Sequence, residues 1–189
     1  MNSNVNRLLP DEGAGVWVHF SHGSFTINDS AVPFALFKTG PGHANQGFAR
    51  TESQVMFSTM LEYGRVLLNV YLGPYMPSET YDCVIEVPLR VDSGQVVMSG
   101  GPSDLPEGRT VKLPPGDYRL TCAQRVLGGE DDPNPDTRNR IVMDLFFEPA
   151  AEAAKTSRIL VDKALVAGGL QPPDPLIETV EVITMPWMR

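Results

Sequence analysis

Short alternations of hydrophobic and polar residues run through most of the chain. Residues 16–20 place Val16, Val18 and Phe20 on one face, and residues 65–72 are rich in branched and aromatic side chains between two glycines. A period of two residues is typical of a half-buried β-strand. The same pattern predicts further strands at residues 24–28, 47–51, 53–59, 81–91, 95–99, 118–122, 141–147 and 179–184.

Turn residues separate these segments at intervals of about eight to twelve positions. Residues 31–45 hold several glycines and prolines, which predicts a loop. Pro115 and Gly116 suit the centre of a type II turn. Pro88 predicts a sheet edge or a bulge, because proline donates no hydrogen bond to a strand ladder. Many short strands with frequent turns favour a sandwich or a barrel.

We therefore predict an all-β fold, a single-domain β-sandwich of short antiparallel strands. Its core is expected at residues 16–149, after an N-terminal tail at residues 1–15. A C-terminal extension at residues 150–189 is expected to pack on the same domain. At most one short helix is expected, near residues 150–155, and residues 159–161 either continue it or form a short strand.

The composition supports this class and narrows the function. The chain has 189 residues, of which 42% are hydrophobic, and it contains 17 glycines and 17 prolines. Those numbers fit one globular domain and argue against a helical bundle. With 15 Lys and Arg against 23 Asp and Glu, the formal charge is −8, which argues against a nucleic-acid-binding protein and fits a basic partner.

The sequence also predicts the compartment. It holds no apolar run of about 18 residues, so no membrane span is expected. Residues 1–7 lack the apolar core of a secretory signal, and a cytoplasmic location is expected. Cys83 and Cys122 do not make a disulfide framework, and we interpret both as small buried hydrophobic residues.

Catalytic motifs are weak throughout the sequence. His19 and His22 are three residues apart and would point to opposite faces of one strand, unless Gly23 bends the chain. With His43 they leave a histidine-based metal site as an alternative to ordinary surface histidines. No Gly-x-Ser-x-Gly motif occurs, and the glycine-rich stretch at residues 40–43 lacks the lysine of a phosphate-binding loop. We predict no catalytic residues and no cofactor.

An acidic segment at residues 129–136 allows three interpretations. Alternate oxygen-bearing residues follow the spacing of a calcium loop; they are Asp132, Asn134 and Asp136. That pattern then fails, because Thr137 replaces the turn glycine and Met143 replaces the final glutamate. A solvated hairpin loop between two strands is therefore favoured. The third interpretation is that its carboxylates attract a cationic partner.

Several strings resemble the ComJ family. Residues 20–29 are similar to its opening S-x-x-x-F-x-I-x-D hairpin, and residues 43–50 followed by 55–57 to its Q-G-F-A-x-R … V-x-F segment. Residues 85–91 and 113–120 are similar to its later strands. The likeness runs from about Val16 to Pro149, and about forty further residues follow.

This resemblance implies a competence-associated inhibitor that binds and blocks a DNA-degrading nuclease. Related domains are expected to act as immunity proteins against nuclease toxins. The family supplies no catalytic or metal-binding residues to carry over. The longer C-terminal segment puts the identity of the partner in question more than the fold.

We predict a non-enzymatic inhibitor or immunity protein whose partner is a basic nuclease, with no direct contact to nucleic acid or membrane. Its carboxylates would meet lysines and arginines around the nuclease active site. The predicted contact residues are Glu130, Asp131, Asp132 and Asp136, with Asp104 and Glu107 as weaker candidates. One alternative is a carbohydrate-binding or enzymatic sandwich that depends on calcium or on a histidine site. Another is a structural module that assembles through an edge strand.

Overall fold

The apolar faces of the alternating segments meet in one core between two β-sheets. A computed structural model describes residues 5–8, 16–100, 109–150 and 156–183. Its elements, in chain order, are β1 (Asn6–Arg7), β2 (Val16–Phe20), β3 (Ser24–Asp29), β4 (Leu36–Lys38), α1 (Pro41–Gln46), β5 (Phe48–Arg50), β6 (Gln54–Ser58), β7 (Gly64–Leu72), β8 (Cys83–Val91), β9 (Gln95–Ser99), β10 (Arg109–Lys112), β11 (Gly116–Gly128), β12 (Arg140–Pro149), β13 (Arg158–Val161), α2 (Lys163–Ala167) and β14 (Glu181–Ile183). The fold is all-β, as predicted.

The larger sheet has the order β1-β7-β12-β11-β8-β13, and β2 lies beside β7 on the same edge as β1. The smaller sheet has the order β10-β9-β3-β6-β5, and β14 pairs with β4 in a separate two-stranded ribbon. The described strand pairs are antiparallel except β7 and β12, which run parallel. The parallel pair is an exception to the antiparallel strands that we predicted, because residue alternation carries no information on strand direction.

Apolar side chains from both sheets form one buried cluster. Val66, Leu68 and Val70 of β7 belong to it together with Phe25 and Ile27 of β3, and all five are fully buried. Burial of each such side chain stabilises the fold by about 1.5–3 kcal/mol. The outward residues of β7 and β12 are left to form the opposite face of the larger sheet.

The loop predicted at residues 31–45 is partly wrong. It contains β4 and the short helix α1, which begins at Pro41 and is followed by Gly47 with φ +78°. Proline suits the first helical position because it lacks an N–H, and glycine suits the left-handed residue after a helix. Pro41 and Gly47 are therefore helix signals, but the many turn residues at positions 31–45 favoured a loop in the sequence analysis.

Two proline-based predictions have different outcomes. Pro88 lies opposite Arg119 of β11, while β13 pairs only with residues 84–86 of β8. Among the strands that the structure describes, none borders β8 at Pro88, so this position is a sheet edge as predicted. The type II turn is wrong: Gly116 has φ +155°, and β10 and β11 belong to different sheets rather than to one hairpin.

The segment after Pro149 contacts both the sheet and the core. Residues 159–161 lie in β13, so the strand alternative is the one observed. Leu165 of α2 is 1% exposed and belongs to the main cluster. The helix predicted near residues 150–155 lies, apart from Ala150, outside the described residues. No helix in the described part of the chain is long and apolar enough to cross a membrane.

Candidate functional site

The acidic segment forms the connection between β11 and β12. Its ends are joined because the Asn139 N–H donates to the Gly129 carbonyl, at 3.2 Å. Gly128 lies where an added Cβ would stand 2.0 Å from Asp132 Oδ2, so only glycine fits beside that carboxylate. The segment is therefore a closed loop with a tight internal approach; we call residues 129–139 the acidic loop.

Asp132 holds the acidic loop together from inside. Its Oδ1 accepts the Asn134 N–H at 2.9 Å, and its Oδ2 accepts the Thr137 hydroxyl at 2.7 Å. These two hydrogen bonds, the Asn134 one first, lower the pKa of Asp132. Arg138 Nε also donates to the Asp132 carbonyl, at 2.7 Å. Asp132 is thus a positioning residue of the loop.

The other three predicted acids point outward. Glu130, Asp131 and Asp136 are exposed. Glu130 Oε1 accepts the Tyr63 hydroxyl at 2.6 Å, and this hydrogen bond raises the pKa of Tyr63. The Asp136 N–H donates to Asn134 Oδ1 at 3.0 Å. The loop therefore presents three carboxylates on a backbone that its own hydrogen bonds already hold.

The weaker candidates and the metal alternatives have separate outcomes. Asp104 and Glu107 lie outside the described residues. His19 and His22 are exposed, and His43 Nδ1 accepts the Gly40 N–H at 3.3 Å. In residues 5–8, 16–100, 109–150 and 156–183, no group of three His, Cys, Asp or Glu residues stands close enough to hold a metal ion.

The two cysteines are both buried free thiols. Burial raises the pKa of Cys83 to about 12 and that of Cys122 well above its ordinary value. Since the thiolate is the reactive form, neither sulfur is available as a nucleophile. Their interpretation as small buried hydrophobic residues is confirmed.

One polar residue that the sequence analysis did not single out is Asp29, at the end of the first family-like string. Its side chain is fully buried and accepts the N–H groups of Ala31 at 2.9 Å and Ser93 at 3.0 Å, and that of Asp92. Burial acts to raise the pKa of Asp29, but a hydrogen bond from the Ser93 side chain and those from the three backbone N–H groups outweigh it and lower the pKa. Asp29 fastens the end of β3 to the turn between β8 and β9.

The second family-like string is also structural. Gln46 is fully buried; its Nε2 donates to the Ile177 carbonyl at 2.9 Å, and its Oε1 accepts the Ile177 N–H at 2.8 Å. Arg50, 7% exposed, binds Glu178 at 2.8 Å, and the Ser157 hydroxyl donates to the same carboxylate at 2.7 Å. Gln46 of α1 and Arg50 of β5 both contact the segment after residue 155. The acidic loop lies outside these contacts.

The geometry defines a class: an all-β sandwich that carries a preorganised acidic loop on one connection. A family model described as Competence protein J (ComJ) matches residues 18–148. The chain belongs to the ComJ family, and the resemblance stated from the sequence is confirmed. No curated protein sequence matches the chain.

Two solved structures are similar to the chain. One is ComJ of Bacillus subtilis, described as an inhibitor of the DNA-degrading activity of NucA. It is 14% identical, with a TM-score of 0.57, and the match covers 76% of this chain and 98% of ComJ. The other is described as Crocagin biosynthetic gene J, at 14% identity and a TM-score of 0.44, covering 77% of this chain and 98% of that one. The first match supports the sandwich fold.

Proposed function

We propose that this protein is a non-enzymatic inhibitor that binds a DNA-degrading nuclease and prevents DNA from entering its active site. The observation that carries the proposal is family membership across residues 18–148. The similar ComJ of Bacillus subtilis is described as inhibiting such an activity. In the finer form of the proposal, the partner is a bacterial nuclease toxin or DNA-processing nuclease, and inhibition takes place in the cytoplasm.

The charge of the molecule supports this mechanism. A nuclease must attract a polyanion, so its substrate cleft presents lysines and arginines. Glu130, Asp131 and Asp136 are exposed on a chain of net charge −8. Opposite charges steer two proteins together and raise the association rate. The acidic loop is therefore the proposed contact with the cleft.

Preorganisation of the acidic loop also favours binding of the partner. Ordering a flexible loop on binding costs free energy, and a loop that is already held avoids much of that cost. Asp132 supplies this order through its bonds to Asn134 and Thr137. We assign Asp132 an indirect role, whereas the three exposed acids would meet the partner directly.

The function is tested by mixing the purified protein with the nuclease encoded next to its gene. Increasing amounts of the protein should abolish DNA cleavage near a 1:1 ratio, and the two proteins should co-elute. Undisturbed cleavage in the presence of excess protein would contradict the proposal, provided that the nuclease is active alone.

The contact site is tested by the triple variant Glu130→Gln, Asp131→Asn, Asp136→Asn. Because three steering charges are lost, association should slow by about tenfold at low salt, and the difference should shrink as salt screens the charges. A matched control removes three exposed acids outside the loop: Glu52→Gln, Glu79→Gln and Asp174→Asn. Equal slowing in both variants would refute the loop as the contact and leave only a net-charge effect.

A further inference from the structure

A recess beside the acidic loop carries the opposite charge. Its volume is about 320 Å³, and none of its lining residues is acidic. The side chains that matter for its chemistry are His19, Tyr63, Arg65, Pro135, Arg138 and Arg140. In a chain of net charge −8, three arginines around one cavity are a marked local reversal. We call this cavity the basic recess.

Strand pairing brings one histidine and two of these arginines into one row. His19 of β2 is the cross-strand partner of Arg65 of β7, and Arg65 is the partner of Arg140 of β12. Cross-strand neighbours on one face have Cβ atoms about 4.5–5.5 Å apart. The row lies at the end of the larger sheet, and Arg138 approaches it from the acidic loop.

Trp17 orders two of the guanidinium groups. The Cζ of Arg65 is 5.7 Å and that of Arg140 is 5.0 Å from the centre of the Trp17 ring. Both distances are within the range of cation–π attraction. A guanidinium held against an aromatic ring keeps the N–H donors along its edge available. The arrangement therefore offers fixed donors to a ligand rather than freely moving side chains.

No carboxylate neutralises this row within the described residues. Arg65 and Arg140 make no salt bridge and no side-chain hydrogen bond there. Arg138 donates its Nε to the Asp132 carbonyl and is also attracted by the Asp132 carboxylate. Four other described arginines are paired with acids: Arg50, Arg90, Arg119 and Arg158 each have a carboxylate within 4.0 Å. Arg65 and Arg138 are exposed and Arg140 is half-buried, so the guanidinium donors of the basic recess face solvent and are open to an anion.

We propose that the basic recess binds a terminal phosphate group. Guanidinium groups match phosphate oxygens in geometry and can donate two hydrogen bonds to one group. The adjacent exposed acids Glu130, Asp131 and Asp136 would repel a run of backbone phosphates, so a single phosphate at the end of a nucleotide or DNA strand fits better than a continuous strand. The volume is at the lower end of the range for small-molecule pockets. This proposal goes beyond nuclease inhibition and does not depend on it.

Calorimetric titration at 150 mM NaCl tests the proposal with four probes. These are inorganic phosphate, deoxyadenosine 5′-monophosphate, and a six-nucleotide thymidine oligomer with and without a 5′-phosphate. Saturable 1:1 binding of the phosphate-bearing probes supports the proposal. If free phosphate binds as well as the others, the ion itself is the ligand; if only the nucleotide or the phosphorylated oligomer binds, the ligand is a nucleotide or a DNA end.

Variants locate the binding to the recess. Arg65→Gln and Arg140→Gln should each weaken binding by about tenfold or more, since each removes charged hydrogen-bond donors. Arg140→Lys keeps the charge but loses the planar guanidinium, so its affinity for the phosphate probes should lie between that of the wild type and that of Arg140→Gln. Arg109→Gln is the control, because Arg109 is an exposed arginine of the smaller sheet. A thermal melt of each variant confirms that it is folded.

Four results would overturn the proposal. The first is absence of binding by every phosphate-bearing probe at millimolar concentration. The second is equal binding of the oligomer with and without its 5′-phosphate. The third is binding that Arg65→Gln and Arg140→Gln leave unchanged. The fourth is binding of a hexaglutamate peptide at Arg65 and Arg140 when no phosphate compound binds, which would make the recess a surface for acidic protein segments.

Discussion

The variant Asp29→Asn tests whether Asp29, at the end of the first family-like string, stabilises the fold or contacts the partner directly. The Asp29 carboxylate is fully buried and accepts N–H groups on both oxygens: Ala31 on Oδ1, and Asp92 and Ser93 on Oδ2. Asparagine has the same shape but only one acceptor oxygen. Its NH2 group must therefore face either one or two backbone N–H donors, whichever way the amide is turned.

The magnitude follows from those contacts. Each buried donor left without an acceptor costs about 1–3 kcal/mol. One or two such donors, together with the lost charge-assisted bonds, predict a decrease of about 2–5 kcal/mol in the free energy of unfolding. Asp92→Asn is the matched control, because the Asp92 side chain is 61% exposed and pairs with Arg90 on the surface. Such pairs contribute about 1 kcal/mol or less.

The pH dependence of stability gives a second readout of the same residue. The folded protein lowers the pKa of Asp29 below its unfolded value, so the ionised carboxylate stabilises the fold. This stabilisation is present above the unfolded pKa of about 3.9 and is lost as the pH falls through the lower, folded value. Asp29→Asn removes this titration, so part of the acid-induced loss of stability should disappear in the variant.

Urea unfolding followed by circular dichroism measures both effects, at pH 7 and over a series down to pH 3. The reasoning is wrong if Asp29→Asn lies within about 0.5 kcal/mol of the wild type, the size typical of a surface substitution. It is also wrong if the variant keeps its stability yet no longer inhibits the nuclease, since Asp29 would then act on the partner.

Three further predictions concern the core and the loop. Leu165→Ala should lower the free energy of unfolding by about 2–5 kcal/mol in urea denaturation, because it leaves a cavity where α2 meets the core. Cys83 and Cys122 should not react with Ellman's reagent in the native protein, and two thiols should react after unfolding; fewer than two would indicate a disulfide. Asp132→Ala should speed hydrogen exchange of the Asn134 amide, and unchanged exchange would show that Asp132 does not hold the loop.

The strands were predictable because the alternation of buried and less buried residues is contained within each strand. In β7, buried Val66, Leu68 and Val70 alternate with less buried neighbours, and that alternation is visible in the sequence alone. The direction in which β7 meets β12 was not predictable, because a strand has the same alternation in a parallel and an antiparallel pair. The pattern predicts that a strand exists and which face is buried, and leaves its partner open.

Buried polar contacts were missed for a different reason. Arg50 and Glu178 are 128 positions apart, and Asp29 is 64 positions from Ser93. The sequence around Arg50, Glu178 or Asp29 shows no local pattern that distinguishes these charged residues from exposed ones. Their burial is known only when the sheets and the C-terminal segment are in place. The family-like strings include Asp29 and Arg50, but they gave no role to either side chain.

The acidic loop was located correctly in the sequence, but its acids were treated alike. Charge and turn residues predicted a hairpin loop between two strands, and the loop does connect β11 to β12. The structure divides its acids into Asp132, which bonds to its own loop, and three that face outward. The arginines of the basic recess escaped notice because Arg65 lies more than 70 positions before Arg138 and Arg140.

These observations divide the molecule into a hydrogen-bonded frame and a charged surface. Asp29, Gln46 and Arg50 are committed to internal bonds, so a change at any of them would alter folding before it altered recognition. The acidic loop and the basic recess border one another through Pro135 and Arg138. Their charged side chains are not part of the hydrophobic core. Charge at that surface can therefore change at little cost in stability, since surface substitutions usually alter it by about 0.5 kcal/mol or less. Under the proposed function, selectivity for one nuclease over another would then be set by the sign and position of charges on this surface, while the sandwich stays the same.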